Sequence, residues 1–328
     1  MKAFVLRSYG PPDALRLTEI DRPSPRDDEV LVRVRATSVQ PYDWHLMRGE
    51  PIIARLMGGG PGLVKPKIAV LGADVAGEVE AVGKDVTEFA PGDEVFAMPK
   101  EGGFSEYVCV KESDLAPKPA SLSFEQAAAV PLAAGTALLA IRDQGRLQPG
   151  QRVLVNGASG GVGTFAVQLA KAFGAHVTGV CSTRNTDLVR SLGADEVVDY
   201  TKEDFALSGE RYDLMVDIAG SHSGSACRRV LTRKGILVVV GGRGSRWLQP
   251  AGHAFSILAS GPFVSQRMAL ADVIRCKDTK RNLVTLTEYI EDGRMTPVID
   301  RSYPFAEIPA AVRYSEEGHA AGKIVVTV

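Results

Sequence analysis

The stretch that most constrains this chain runs from Val153 to Lys171, Val-Leu-Val-Asn-Gly-Ala-Ser-Gly-Gly-Val-Gly-Thr-Phe-Ala-Val-Gln-Leu-Ala-Lys. It reads as an apolar strand that passes through a glycine-rich turn straight into an amphipathic helix, whose apolar positions Val162, Phe165, Ala166, Leu169 and Ala170 recur at helical period. Ala158, Gly160 and Gly163 stand where a dinucleotide fold needs small residues: for a tight turn, for close approach of backbone to a pyrophosphate, and for close helix-to-strand packing. The free N–H groups over Ser159, Gly160, Gly161, Val162 and Gly163 then face the anion. A nucleotide site is the expectation here; the competing reading is a glycine-rich turn with no ligand.

At 328 residues the chain exceeds the usual size of a single core, so two domains are expected. Lys and Arg (38) balance Asp and Glu (39) and no basic block stands out, which argues against a nucleic-acid partner. Cys109, Cys181, Cys227 and Cys276 are scattered without short metal-ligand spacing and read as reduced thiols. No apolar run reaches membrane-spanning length, and Met1-Lys-Ala-Phe-Val-Leu-Arg-Ser8 lacks the apolar core of a signal peptide. A soluble, cytoplasmic protein with no membrane contact is the expectation.

The first third reads as short strands broken by turns, at Ala3 to Arg7, Leu15 to Glu19, Val30 to Arg35, Val75 to Val82, Glu94 to Ala97 and Phe104 to Val110. Their alternation predicts a compact antiparallel, barrel-like domain. The exception is Ser38 to Gly49, a polar and aromatic stretch read as a loop beside a strand end. Tyr42 and His45 are its candidates for proton donation, set against a reading in which Tyr42, Trp44 and His45 only pack the loop. Asp43 is expected to tie the loop to backbone N–H groups, and the segment from Lys67 to Gly77, with Gly72 and Asp74, forms a second approach of open role.

After Pro117 to Ser123 the pattern changes to alanine-rich helices over Phe124 to Ile141, then to alternating strands and helices from Arg152 to Gly242. Near-continuous apolar strands separated by helices predict a parallel sheet covered on both faces, with ligand at the carboxyl ends of its strands. Asp217, Gly241 and Gly242 are strand-end neighbours of that place. An NADH site usually carries Asp or Glu about 20 residues past the glycines, whereas this chain has Cys181-Ser-Thr-Arg-Asn185. Hydroxyls and a guanidinium from Ser182, Thr183 and Arg184 suit a 2'-phosphate, so NADPH is expected, with Tyr200 over the adenine or phosphate edge. Residues 244–275 mix Gly, Ser and aromatics and read as a lid, a subunit contact or both. A helix over Asn282 to Asp292 follows, and another over Ile308 to Ser315 and a last strand over Gly322 to Val328 complete the first domain.

Taken together, Met1-Lys-Ala-Phe-Val5, Val39 to Gly49, Val70 to Val79, Pro91-Gly-Asp-Glu-Val95, Gly102 to Val108, Asn156 to Gly163, Leu192 to Tyr200 and Gly322-Lys-Ile-Val-Val326 resemble the medium-chain dehydrogenase/reductase superfamily. Within it they resemble the zinc-independent quinone oxidoreductase branch, over essentially the whole chain. The resemblance implies an α/β fold: a doubly wound Rossmann-type parallel sheet (residues 124–295) that binds NADPH, a GroES-like antiparallel barrel domain (residues 1–123 with 296–328), and a homodimer. Zinc alcohol dehydrogenases of the superfamily hold a catalytic metal; the matching positions here are Gln40, Ala73 and a place near Leu132, which offer no zinc ligand. The four-cysteine structural zinc lobe is absent as well, so no metal is expected.

The resemblance also raises Tyr42 and His45, which match a proton-relay hydroxyl and histidine, and Thr136, which resembles a threonine packed near the nicotinamide. Gln40 stands where quinone reductases of the branch typically have Asn and is a candidate for orienting cofactor or substrate. Lys323 faces the same cleft or is a surface lysine; both readings stand. Hydride transfer from NADPH to a quinone or an α,β-unsaturated carbonyl is the expected reaction, since charge there is delocalised without a Lewis acid. The alternatives are an NADP-dependent alcohol dehydrogenase, an enoyl-thioester reductase, or an NADPH-binding redox sensor or structural protein with little turnover.

Overall fold

The structure of the chain, a computed structural model, describes residues 1–50, 52, 62–242, 251–260 and 264–328. It divides into two compact units, Met1–Gly135 with Ile274–Val328, and Thr136–Val273.

In the first unit, β1 (Lys2–Leu6) pairs antiparallel with β2 (Leu15–Glu19). The long β3 (Glu29–Val39) leads into α1 (Pro41–Arg48), and β4 (Val75–Val82), β5 (Glu94–Ala97), β6 (Tyr107–Lys111) and β7 (Leu115–Pro117) follow. Val30, Val32 and Val34 point inward along β3 and meet Val75, Val79, Val95 and Val108 in one apolar cluster. Each such burial stabilises the unit by roughly 1.5–3 kcal/mol, which selects this register over a slip that would turn the valines outward. The stretch after Val39, expected as a loop, is a helix. Pro41 is pre-set for the first turn, the Gln40 N–H donates to Asp43 Oδ2, and Gly49 closes α1 in the left-handed region at φ 61°.

The second unit begins within the helical region formed by α2 (Phe124–Ala128) and α3 (Pro131–Leu138). It then alternates β8 (Arg152–Asn156), α4 (Gly161–Ala172), β9 (His176–Cys181), α5 (Thr186–Ser191), β10 (Glu196–Asp199), β11 (Tyr212–Asp217), α6 (Gly224–Arg229), β12 (Leu231–Val239), α7 (Ala251–Ser260) and β13 (Arg267–Leu270). The sheet order is β10-β9-β8-β11-β12-β13 and every pairing is parallel. Counted from β8 this is the doubly wound order 3-2-1-4-5-6, whose direction reverses between β8 and β11, the place where such sheets hold ligands. Strand β13 went unread in the sequence, and residues 244–250 and 261–263 of the stretch read there as a lid or contact lie outside the described residues.

The chain then returns to the first unit through α8 (Thr279–Glu291), β14 (Ile299–Pro304), α9 (Ile308–Glu316) and β15 (Lys323–Thr327). Among the described residues its larger sheet runs β14-β15-β3-β4-β5-β7, with β6 also on β3. The borders at 135/136 and 273/274 leave α2 and α8 with this unit, because α2 packs on β3 and β4 and α8 on β7. Strand β15 pairs antiparallel with β3, Ile324 opposite Val39, so Lys323 arrives beside Gln40.

Candidate functional site

Two groups of polar residues stand out, one in each unit. In the Thr136–Val273 unit the turn from Gly157 to Gly163 lies at the carboxyl end of β8. Gly157 has φ 95°, and a Cβ on Gly163 would lie 2.0 Å from the Gly157 carbonyl oxygen, so both glycines are demanded by the fold itself. Gly160 differs: its nearest neighbour to an added Cβ is the Gly157 oxygen at 3.6 Å, an ordinary contact. The space a Cβ would take there is open for a ligand, and the N–H groups of the first turn of α4 border it, as a dinucleotide pyrophosphate requires. Ser159, Gly160, Gly161 and Val162 are all partly exposed along this cradle.

Side chains from neighbouring strand ends brace the turn. Asn185 Nδ2 donates to Ser159 Oγ at 2.9 Å, and Asn156 Nδ2 donates to Asp217 Oδ1 at 2.8 Å. Asp217 also accepts the Gly220 N–H and is fully buried, so its carboxylate braces the strand end from inside. Gly241 lies close over the end of β11, where an added Cβ would stand 3.0 Å from the Ile218 carbonyl oxygen, with Gly242 following. Thr136 is buried in α3.

At the end of β9, Ser182 is partly exposed, and Thr183 and Arg184 are exposed. Thr183 Oγ1 donates to Asp199 Oδ2 at 2.6 Å. Asp199 also takes the Thr201 hydroxyl and the Lys202 ammonium, and these donors, Thr183 foremost, hold its carboxyl far below the usual range. An acid thus does reach this corner, from the next strand, and it commits the Thr183 proton; Ser182 and Arg184 are the remaining 2'-phosphate candidates. Tyr200, beside Asp199, is 62% exposed.

The second group is a buried polar cluster in the first unit, at the junction of β3, α1 and β15. Asp74 is its hub. Its Oδ2 accepts Ser38 Oγ at 2.7 Å, Gln40 Nε2 at 3.1 Å and Lys323 Nζ at 3.5 Å; its Oδ1 accepts the Leu132 N–H at 2.9 Å. Lys323 Nζ also donates to Gln40 Oε1 at 2.8 Å. Lys323 is only 3% exposed, so of its two readings the surface lysine falls. Burial pushes its ammonium below the usual lysine range, while Asp74 and Asp43 oppose that shift. Burial likewise raises Asp74, against the pull of Lys323. Asp43 ties α1 down as expected, through the N–H groups of Gln40 and Gly72; burial and the nearby Asp74 push it up to about 7.

Tyr42 and His45 sit partly buried on α1. His45 Nδ1 lies 3.1 Å from the Glu50 carbonyl oxygen, which can only accept, so Nδ1 carries the proton and Nε2 is bare. Burial lowers the ring to about 4. At neutral pH His45 is therefore an uncharged ring with nothing to donate at Nε2, which removes the support for it as a proton donor and leaves Tyr42.

The comparisons now bear on both groups. A family model described as "Alcohol dehydrogenase GroES-like domain" matches residues 26–120, and one described as "Zinc-binding dehydrogenase" matches residues 192–326. The chain is 37% identical to the mouse (Mus musculus) "NAD(P)H oxidoreductase RTN4IP1, mitochondrial", over 100% of this chain and 89% of that protein. It belongs to the medium-chain dehydrogenase/reductase superfamily, in the zinc-independent, quinone oxidoreductase-like branch. It is also 35% identical to the "NADPH-dependent alkenal/one oxidoreductase, chloroplastic" of Arabidopsis thaliana, over 99% of this chain and 79% of that one. Among solved structures it is similar to the quinone oxidoreductase from Coxiella burnetii, with a TM-score of 0.85, 29% identity, and coverage of 100% and 99%. This superfamily member is an oxidoreductase with the two-domain α/β fold expected from its sequence.

Two points follow for this dehydrogenase/reductase. The zinc named in one family description does not fit: among the described residues no three His, Cys, Asp or Glu side chains converge. Lys323 Nζ already stands 2.8 Å from Gln40 Oε1 at this place. The cytoplasmic expectation is overturned, since relatives matching across the chain are named as mitochondrial and chloroplastic proteins. Balanced charge and a polar start do not separate those compartments from the cytosol. No described helix is long and apolar enough to cross a membrane.

Sequence reading missed Asp74 as a hub, Ser38 as its donor, and Asn156, Asn185 and Asp199 as braces. The only sequence signal for any of them was that an acid and an amide flank predicted strand ends, which many surface residues also do.

Proposed function

We propose that this enzyme uses NADPH to reduce a quinone or an α,β-unsaturated carbonyl. The observation that carries the reading is Gly160, whose missing side chain leaves open a place in the turn that no close protein contact fills. Ser159 to Gly163 hold the pyrophosphate with backbone N–H groups, Ser182 and Arg184 meet the 2'-phosphate, and Tyr200 covers the adenine edge. Thr136, Gly241 and Gly242 border the cofactor farther along. Bound there, NADPH supplies hydride. The names of the mouse and Arabidopsis relatives support this cofactor and a conjugated acceptor.

A conjugated acceptor also suits the buried cluster, which has an ammonium and an amide where zinc relatives polarise an alcohol or ketone. Tyr42 is the proton donor near that cluster, with water as its source; Gln40 and Lys323 act on the substrate side. The substrate is a small molecule, as the name of the Arabidopsis relative supports, and the balance of Lys and Arg (38) against Asp and Glu (39) supports no nucleic-acid partner. A homodimer is supported by β13, which among the described residues has a strand on one side only and leaves Leu270 38% exposed.

The test is NADPH consumption with phenanthrenequinone, benzoquinone and a simple enone, set against alcohol oxidation with NADP. Turnover of a quinone or enone without alcohol oxidation is expected; alcohol oxidation alone, or cofactor binding with no turnover, overturns the reading. Light scattering at micromolar protein reports the dimer.

A further inference from the structure

The buried cluster holds more hydrogen-bond donors than acceptors. Gln40 Nε2 carries two hydrogens and spends one on Asp74 Oδ2. Lys323 Nζ carries three and meets two acceptors, Gln40 Oε1 and Asp74 Oδ2. Neither group has a further acceptor among the described residues, although Gln40 is 5% exposed and Lys323 3% exposed. The acceptors, by contrast, are crowded: Asp74 Oδ2 already takes three donors and Oδ1 the Leu132 N–H. Buried donors left over in this way are destabilising. The imbalance is relieved by an oxygen atom brought in from outside, and most by one that bears negative charge.

The orientation of the amide is also fixed. Because Lys323 can only donate, the Gln40 oxygen must face it, and because the Asp74 carboxylate can only accept, the Gln40 nitrogen must face that. The amide cannot flip without losing both contacts, so its second N–H has a set direction, as preorganised stabilisation of a transition state demands. Gln reaches Lys323 by one methylene more than Asn has, which gives the departure at this position a physical reason.

We infer that Gln40 Nε2 and Lys323 Nζ form an oxyanion site that receives the carbonyl oxygen of a quinone or enone. The inference rests on the reading above. When hydride forms a new C–H bond at the conjugated carbon, the π pair moves to the carbonyl oxygen, the nicotinamide is oxidised, and a proton from water completes the product. Gln40 and Lys323 hold the oxygen while it carries the charge. Asp74 is the positioning residue, acting through both.

The test uses the full chain and two readouts. Gln40→Glu keeps the shape and replaces the donating amide by a carboxylate; kcat for quinone or enone should fall about 100-fold, with NADPH affinity within twofold by fluorescence titration. Lys323→Met paired with Asp74→Asn removes both buried charges together, so that it folds, and should lower kcat similarly, while Lys323→Arg should recover part of it. The second readout needs no turnover: para-nitrophenol, a phenolate probe, should bind wild type with its ionisation displaced to lower pH, and Gln40→Glu should abolish that displacement. A kcat within twofold of wild type in folded Gln40→Glu, or a probe that fails to bind or binds with unchanged ionisation, overturns the inference. A wild-type protein that shifts the probe yet reduces no quinone or enone leaves the oxyanion site standing and defeats the functional reading instead.

Discussion

The glycine turn at the end of β8 and the polar cluster at the end of β3 both present hydrogen-bond donors, but they are made of opposite materials. The turn is backbone and open space: Gly157 is set by its left-handed φ and Gly163 by a close approach of main chain, while Gly160 leaves room. The cluster is mostly side chain, with two carboxylates, an ammonium and an amide packed out of water. A backbone site is broken by adding atoms, whereas a charged cluster is broken by removing them.

The largest effect should come from taking one charge out of the cluster. Asp74→Ala strands the Lys323 ammonium in the interior and should cost about 3–5 kcal/mol, read as a lower urea midpoint; a loss under 1 kcal/mol would mean that the cluster is not the tightly coupled unit described.

His45 on α1 gives a pH test in the same unit. Its ring titrates at about 4 in the folded chain and near 6.5 when unfolded, so between these values the unfolded state binds the extra proton and stability rises with pH. That rise is at most about 3 kcal/mol. His45→Asn should remove it from the difference between urea midpoints at either end of the window, and an unchanged difference would contradict the neutral, buried ring. Asp43 runs the other way, since its raised value makes stability fall as pH climbs toward about 7, and it is common to both proteins.

In the turn, two alanines separate fold from ligand. Gly163→Ala drives a Cβ into the Gly157 carbonyl and should cost about 1–3 kcal/mol of stability. Gly160→Ala should leave the melting temperature unchanged and weaken NADPH at least tenfold, about 1.4 kcal/mol. If instead Gly160→Ala destabilised the apoprotein, the open cradle would be a feature of the fold alone. The smallest effect belongs to Arg184→Ala, expected to weaken NADPH up to tenfold and NADH hardly at all, by fluorescence titration.

How far each region could be read from residues follows the same contrast. The turn was legible because its spacing, its strand and its helix are contiguous, and local sequence carries all of them. The cluster was not, because Gln40, Asp74 and Lys323 look ordinary one at a time and acquire meaning only when β3 and β15 pair. Helix α1 was missed since its eight residues mix polar, aromatic and aliphatic side chains with no clear apolar stripe, and the cue lay in Pro41 and Gly49 at its ends. The acid at Asp199 escaped because the expected place for it was the end of β9, and it arrives from β10.

Lys323 and Gln40 lie 283 positions apart, and the whole Thr136–Val273 unit is made between them. During synthesis that unit is contiguous and can close on itself as it emerges, while the barrel must wait with Asp74 unmatched and an open place beside β3 until β15 arrives to fill it. The strand that balances the buried charge of the barrel is thus the last one the chain supplies.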